Sequence, residues 1–491
     1  MRSPRPHQQR ALVFVKAHLA EGRKRVMLQA PTGFGKTLVG AMIAAGALAK
    51  GRRAVFVVPA ISLIDQTVQS FALDGITDVG VIQAAHPMTD PSRPVQIASV
   101  QSLQARGVDR LPPAHVVVID EAHRNFEFIQ TWMALPEWKG VPFVGLSATP
   151  WARGLGKHYD ALVVGETCQG LIDKGFLAPF RVFAPAHPDL TGVATERGDY
   201  HEGQLAEVMA DVVLVAGVVT TWLEKGEGRP TLCFAVNRAH AAKLQAEFLR
   251  AGVPCGYVDA YTKPIDRKAI QGQFERGELK VVVNIGTLTT GVDWDVRCIV
   301  LARPTKSKML YVQMVGRGLR TAPGKADCLV LDHSDTTLRL GFVTDIHQDE
   351  LCDGTADGRR ARRDADEEPL PKECAKCSFL RPPKVAECPA CGFKAQRQTD
   401  IVEADGELVE LRGKKSESTP AEKQAWYSGL IHIRDERGYK PNWPDVIYKN
   451  KHGDWPSRHG LSPRPAPPAP DVIGYVTAQQ IRWSKRQRAA S

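Results

Sequence analysis

The chain has 491 residues, 43% hydrophobic and 24% charged, which is room for about three or four folded units at the usual ~100–200 residues each. Its 64 Lys and Arg against 54 Asp and Glu leave a formal charge of +10, which suits a polyanionic partner or a solvated basic surface and does not choose between them. No apolar run approaches the ~20 residues that span a bilayer and the first residues hold no apolar signal core, so a cytoplasmic protein without membrane contact is expected.

Cysteine usage points the same way. Cys168, Cys233, Cys255, Cys298, Cys328 and Cys352 stand singly, and the other four form two close pairs. A reducing compartment with one metal site fits this better than a disulfide framework.

In chain order, an amphipathic stretch over 11–19 is followed by the apolar run Val26, Met27 and Leu28. The stretch Ala30, Pro31, Thr32, Gly33, Phe34, Gly35, Lys36 and Thr37 comes next, ahead of a helix predicted over 38–50. A strand that delivers a glycine-rich turn into a helix N-terminus is the layout of a phosphate-binding loop. Gly33 and Gly35 permit positive φ and close approach to phosphate oxygens. Lys36 is placed to reach the β and γ phosphates of ATP, and Thr37 to hold Mg²⁺.

Strands are predicted over 54–58, 95–98, 115–119 and 142–146 with helices between them, the alternation of a doubly wound sheet. The third of these strands ends in Asp120, Glu121, Ala122 and His123. Carboxylates at the C-terminal end of a parallel strand lie where such sheets bind ligands. Asp120 is then a Mg²⁺ ligand through water, and Glu121 the base that orients and deprotonates the attacking water. The fourth strand closes on Ser147, Ala148 and Thr149, whose hydroxyls are placed to bond His123 and link nucleotide to strand movement.

With these motifs in this order, the chain resembles a DEAH-type member of helicase superfamily 2 over roughly residues 5 to 340. Ala30, standing where the general loop pattern has its first glycine, is characteristic of helicase-type loops. The resemblance implies an α/β protein with two RecA-like doubly wound parallel-sheet domains in tandem. ATP lies between them and nucleic acid across both. The expected organisation is a first domain over 1–165, a connector over 166–200 and a second domain over 201–345. Gln8, with Arg5 as a companion, matches the glutamine that reads the adenine edge, although capping or a solvated face accounts equally well for it. A helix over 208–223 precedes a second strand and helix alternation over 231–284, without a phosphate loop of its own. Gly291 and Asp293 lie in a stretch that resembles the family segment contacting nucleotide and nucleic-acid backbone. Gln313 to Arg320 matches Gln-x-x-Gly-Arg-x-x-Arg. Gln313 is assigned to coupling, and Arg317 and Arg320 to the γ-phosphate across the cleft, where a planar guanidinium suits spread transition-state charge.

Beyond residue 345 the texture changes. Residues 346–372 read as a linker. Cys374, Cys377, Cys388 and Cys391 have the spacing of a zinc ribbon over 373–395, with Zn²⁺ as a structural ion in a unit too small for a core. After a second linker (396–418), an aromatic and basic module over 419–461 resembles a C-terminal module of helicases encoded by phages and prophages. Its aromatics are either the core of a small helical unit or base-stacking groups. A Pro-rich spacer and basic tail occupy 462–491.

The function expected is an ATP-driven helicase or translocase acting on DNA in phage or bacterial replication, recombination or repair, with partners among the proteins of those processes. An RNA helicase, the motor subunit of a restriction or defence complex, and a silent nucleic-acid scaffold are the alternatives. The last needs none of Lys36, Asp120, Glu121, Arg317 and Arg320.

Overall fold

The structure is a computed structural model that describes residues 2–83, 85–124, 126–196, 198–289, 294–354, 370–394, 419–477 and 479. The chain divides into two compact units, Met1–Arg397 and Gln398–Ser491.

The first unit holds two parallel sheets. Strands β1 (Arg25–Gln29), β2 (Ala54–Val58), β3 (Val79–Ile82), β4 (Val95–Ser99), β5 (Val116–Asp120), β6 (Phe143–Ser147) and β7 (Ala161–Val164) form lobe 1 in the order β3-β4-β2-β5-β6-β1-β7. Continuous apolar runs make these strands, and β1 and β2 are buried along their whole length. Such runs suit a sheet covered by helices on both faces. One face packs Val26, Leu28, Phe56 and Leu146 against the helix Lys36–Leu48. The other packs Met27, Val55, Ile119 and Phe143 against Trp132 and Trp138.

Lobe 2 takes β8 (Phe180–Phe183) and, after a two-stranded hairpin of β9 (Thr195–Glu196) and β10 (Asp199–Tyr200), the strands β11 (Thr231–Phe234), β12 (Cys255–Val258), β13 (Val281–Asn284), β14 (Cys298–Leu301) and β15 (Cys328–Asp332). The parallel order is β12-β13-β11-β14-β15-β8. Residues 180–183, expected to lie in the connector, therefore form an edge strand of the second sheet and pair with β15. The helix expected over 208–223 is two helices, Glu202–Met209 and Val212–Lys225, because the Asp211 carboxylate caps the second by accepting from the N–H groups of Val213 and Leu214.

Beyond lobe 2, β16 (Lys372–Glu373) and β17 (Leu380–Arg381) form an antiparallel pair. It leans on the β8 edge, where Ala184 donates its N–H to the Ser378 carbonyl at 2.9 Å and the Phe379 ring meets that of Phe183 at 5.4 Å.

The second unit packs the helices Pro420–Arg437 and Trp443–His452 around Trp426, Leu430 and Tyr448, joined by Val472 and Val476. Thr419 and Glu422 make a reciprocal cap at the start of the first helix. Trp426 and Tyr448 are thus core, Trp443 is partly buried beside them, and Trp455 is exposed. The expected first linker falls mostly, and the second linker and basic tail wholly, outside the described residues. Among the described residues no single helix is long and apolar enough to cross a membrane.

Candidate active site

Three neighbouring strands of lobe 1, β5, β6 and β1, end at one edge and carry the Asp120 pair, Ser147 and the phosphate loop. The Ala30 N–H donates to the Ser147 carbonyl at 2.8 Å, fixing where the loop leaves the sheet. Gly33 and Gly35 both adopt left-handed backbone, with φ of 86° and 88°. A Cβ on Gly33 would lie 2.6 Å from Leu177 Cδ2, and one on Gly35 2.3 Å from Gln8 Nε2, so only glycine fits either place. Gly35 is the N-cap of the helix Lys36–Leu48, whose first N–H groups have no partner within the helix. Pro31 accepts the Phe34 N–H, and buried Phe34 braces the turn from behind.

Thr32, Gly33, Gly35, Lys36 and Thr37 line a cavity of about 500 Å³ together with Asp120, Glu121, Arg317 and Arg320. That volume is within the ~300–1,000 Å³ of small-ligand sites. Glu121 has φ of 49°, a region that costs a non-glycine residue about 1–3 kcal/mol and is retained where function over-determines it. Both carboxylates are largely shielded from solvent, Glu121 with 13% of its side chain exposed. Burial and the Glu121 charge push Asp120 up, although Lys36 and Arg317 pull against this. Burial acts in the same direction on Glu121, but Lys36, His123 and Arg317 outweigh it and hold Glu121 below the usual range. Glu121 Oε2 is buried without a hydrogen-bond partner, 3.3 Å from His123 Nδ1, which is already engaged elsewhere. Asp120, Glu121 and the Thr37 hydroxyl line the same cavity, and these oxygens are the donor set a hard divalent cation and an attacking water need.

His123 joins the lobes. Its Nδ1 lies 2.9 Å from Ser147 Oγ, which also accepts the Thr149 N–H at 3.0 Å. Its Nε2 lies 3.2 Å from Gln313 Nε2 of lobe 2, which also reaches Thr149 Oγ1 at 3.4 Å. With the Gln313 amide donating, His123 Nε2 is the acceptor and Nδ1 carries the proton. Arg317 follows the helix Lys308–Gly316, is 5% exposed, and exerts its charge on both carboxylates. Arg320 stands across from the loop, its Cγ 3.7 Å from where a Gly33 Cβ would be.

Gln8 is in the cavity wall but its amide is already in use, accepting the Arg5 N–H at 2.8 Å and donating to the Phe34 carbonyl at 2.7 Å. It braces the loop and retains one N–H and one lone pair for a ligand. Arg5 lines the same wall. Gly291 and Asp293 lie outside the described residues. Sequence reasoning missed Arg2, Gln66, Ser70 and Phe176 in the lining. Gln66 and Ser70 are four apart on one helix face and were legible as a polar stripe, whereas nothing local marks Arg2 or Phe176.

The four ribbon cysteines are free thiols whose sulfurs lie within 4.8 Å of one another. Cys374 to Cys391 and Cys377 to Cys388 are each 3.7 Å apart. A tetrahedron with Zn–S bonds of ~2.3 Å has edges of about 3.8 Å, so the donor set fits zinc.

Comparison with known proteins agrees with this geometry. The family described as type III restriction enzyme, res subunit, matches residues 2–152, and the helicase conserved C-terminal domain matches residues 213–322. A 51.5 kDa protein of a Lactococcus phage (isolate 7-9) is 26% identical over 400 residues, covering 78% of this chain and 82% of that protein. A Saccharomyces cerevisiae protein described as an ATP-dependent helicase, IRC3, is 31% identical over 253 residues, covering 48% of this chain and 37% of that protein. The fold is shared with a fragment assigned as the HsdR subunit of a type I restriction enzyme from Vibrio vulnificus YJ016 (TM-score 0.53, 21% identity, 74% of this chain and 67% of that one). With both helicase domains matched and their two lobes closed on a single phosphate loop, the chain belongs to helicase superfamily 2 and is an ATP-hydrolysing helicase.

Proposed function

We propose that this helicase moves on or remodels DNA, and that ATP with Mg²⁺ is held between the lobes by the residues described above. The observation that carries the site is the common cavity of Lys36, Asp120 and Glu121 from one lobe with Arg317 and Arg320 from the other. Lys36 and the loop N–H groups bind the β and γ phosphates, and Thr37 and Asp120 are the residues that would hold Mg²⁺. Bound there, the ion neutralises phosphate charge. Glu121 orients the attacking water and takes its proton, and Arg317 and Arg320 offset charge that develops on the γ-phosphoryl group. Such arginines are worth about 10³–10⁵ in rate. His123, Ser147, Thr149 and Gln313 couple that event to lobe position, so turnover and relative lobe movement are linked. DNA is favoured by the restriction-enzyme description of the matched family and by an Escherichia coli relative named as the EcoKI endonuclease subunit, 25% identical over 393 residues and covered to 33% of its length. DEAH-type membership and a role in phage or bacterial replication, recombination or repair belong to the same proposal. In the ribbon, Zn²⁺ on Cys374, Cys377, Cys388 and Cys391 would be structural.

ATPase measured with single-stranded, duplex and forked DNA and with RNA, on wild type and Lys36→Ala, tests this. The expected result is stimulation by at least one DNA form that vanishes in the variant. Equal turnover in both proteins overturns the site, and stimulation by RNA alone overturns the DNA assignment.

A further inference from the structure

The backbone that carries Arg320 is held by a side chain five residues further on. Past the helix Lys308–Gly316 the chain runs through a buried turn, and the carbonyls of Gly318, Leu319 and Arg320 each need a donor from elsewhere. Leu319 takes the Ala178 N–H at 2.7 Å. The other two share one ammonium. Lys325 Nζ donates to the Gly318 carbonyl at 2.5 Å and to the Arg320 carbonyl at 2.7 Å, and its third bond, also 2.7 Å, goes to the Val296 carbonyl ahead of β14.

The local sequence makes this reach possible. Ala322, Pro323, Gly324 and Lys325 form a tight turn, in which the Lys325 N–H donates to the Ala322 carbonyl at 3.1 Å and Gly324 has a φ of 69°. Proline at the second place and glycine at the third suit a type II turn. Arg297 holds the same turn separately, donating to the Pro323 carbonyl at 2.8 Å and the Gly324 carbonyl at 3.2 Å while paired with Asp295. Burial pulls the Lys325 pKa down, so a cation here costs stability that its three bonds offset. Three carbonyls converging on one point match the donors of an ammonium and not the planar fork of a guanidinium.

We propose that Lys325 is a positioning residue for the cleavage of ATP: by tying the Gly318 and Arg320 carbonyls to the lead-in of β14, its ammonium sets where the Arg320 guanidinium stands at the cavity. This deepens, and rests on, the assignment of Arg320 to the γ-phosphoryl group. Lys325 acts through the backbone and contributes no group to the reaction. Its loss therefore weakens a contact made in the transition state and leaves ground-state binding of ATP in place.

The full chain is assayed for nucleic-acid-stimulated ATPase as wild type, Lys325→Met, Arg320→Ala, the double variant and Arg297→Ala, each with its unfolding temperature. Lys325→Met is expected to lower kcat by roughly 10- to 100-fold, with the KM of ATP within about twofold of wild type. Arg320→Ala lowers kcat further. Adding Lys325→Met to Arg320→Ala changes nothing more, because the residue through which the lysine acts is gone. Arg297→Ala loosens the same turn but leaves the Arg320 carbonyl bonded, and keeps the wild-type kcat. If Lys325→Met does not fold, Lys325→Arg takes its place: the charge stays, the three-way convergence is lost, and the same pattern is expected. Wild-type kcat in the lysine variant, or a multiplied loss in the double variant, overturns this inference and leaves the assignment of Arg320 standing. A loss in Arg297→Ala equal to that in Lys325→Met also overturns it, by tracing the effect to the turn as a whole. Wild-type kcat in Arg320→Ala overturns the assignment of Arg320, and this inference falls with it.

Discussion

Gly316 gives the most direct test of lobe closure, because its substitution should leave each lobe sound and stop the two from meeting. Gly316 is the last residue of its helix. A Cβ there would lie 2.9 Å from Thr32 Oγ1 and 3.0 Å from Thr32 Cβ. Carbon atoms pack best at about 3.5–4.0 Å, so the lobes would have to part by roughly 0.5–1 Å. The Thr32 hydroxyl can rotate away, but its Cβ is fixed by the loop backbone. Arg317 follows immediately and would retreat from the cavity by a similar distance. A displacement of this size at a reacting centre costs on the order of 10²-fold in rate. In the helix itself alanine is favoured over glycine by up to about 1 kcal/mol. Gly316→Ala is therefore expected to lower nucleic-acid-stimulated kcat by roughly 10- to 100-fold, with an unfolding temperature equal to or above wild type. Wild-type turnover at saturating ATP and nucleic acid would refute the closed-lobe argument. A lost kcat accompanied by a lower unfolding temperature would trace the defect to folding instead.

Gln313→Ala removes hydrogen bonds to His123 and Thr149 that together are worth about 1 kcal/mol or more, so the ratio of stimulated to basal ATPase should fall by roughly two- to tenfold. An unchanged ratio would remove Gln313 from coupling. His240 and His333 in lobe 2 are each pushed down to about 4, first by burial, and His240 Nδ1 accepts the Val236 N–H at 3.3 Å, which requires the neutral ring. A depressed folded value means that stability present above ~6.5 is lost as pH falls toward 4, by about 1.4 kcal/mol per unit per histidine. Urea midpoints at pH 7 and pH 5 should show this, and His240→Leu should have the shallower dependence; parallel curves would count against it. Chelation, or Cys388→Ser, should release zinc and lower the unfolding temperature of lobe 2, since Cys377 and Phe379 pack on its core. Unfolding indifferent to chelation would detach the ribbon from that lobe.

The phosphate loop, the Asp120 pair and the arginine segment were legible because each chemistry demands particular residues at short spacing. The buried strands 54–58, 143–147, 231–234 and 281–284 were legible as continuous apolar runs between helices. What escaped was set by long-range partners. Phe180 to Phe183 is too short to show a period, and only its pairing with β15 makes it part of lobe 2. The break at Asp211 was readable as a capping residue, but the apolar runs on either side masked it. Gln8 lines the cavity, yet one amide cannot be assigned from sequence when a backbone N–H and a backbone carbonyl 26 residues away compete for it. Arg2 and Asp74 are 72 residues apart, and no local pattern joins them.

The segment between the lobes is more than a tether. Leu177 lies beneath Gly33 of the phosphate loop and bridges Arg320 in backbone register, while the Ala178 N–H donates to the Leu319 carbonyl at 2.7 Å. The same backbone continues into β8, which bonds β15 on one side and meets the ribbon on the other through Phe183 and Phe379. A rotation of lobe 2 that withdrew Arg317 and Arg320 would therefore have to draw Leu177 off the phosphate loop. Because the described part of the ribbon bonds the β8 edge, that rotation would carry the ribbon with it. Packed interfaces of this kind switch between arrangements and do not deform continuously, so a small change at the cavity end has a stiff route to the far edge of lobe 2.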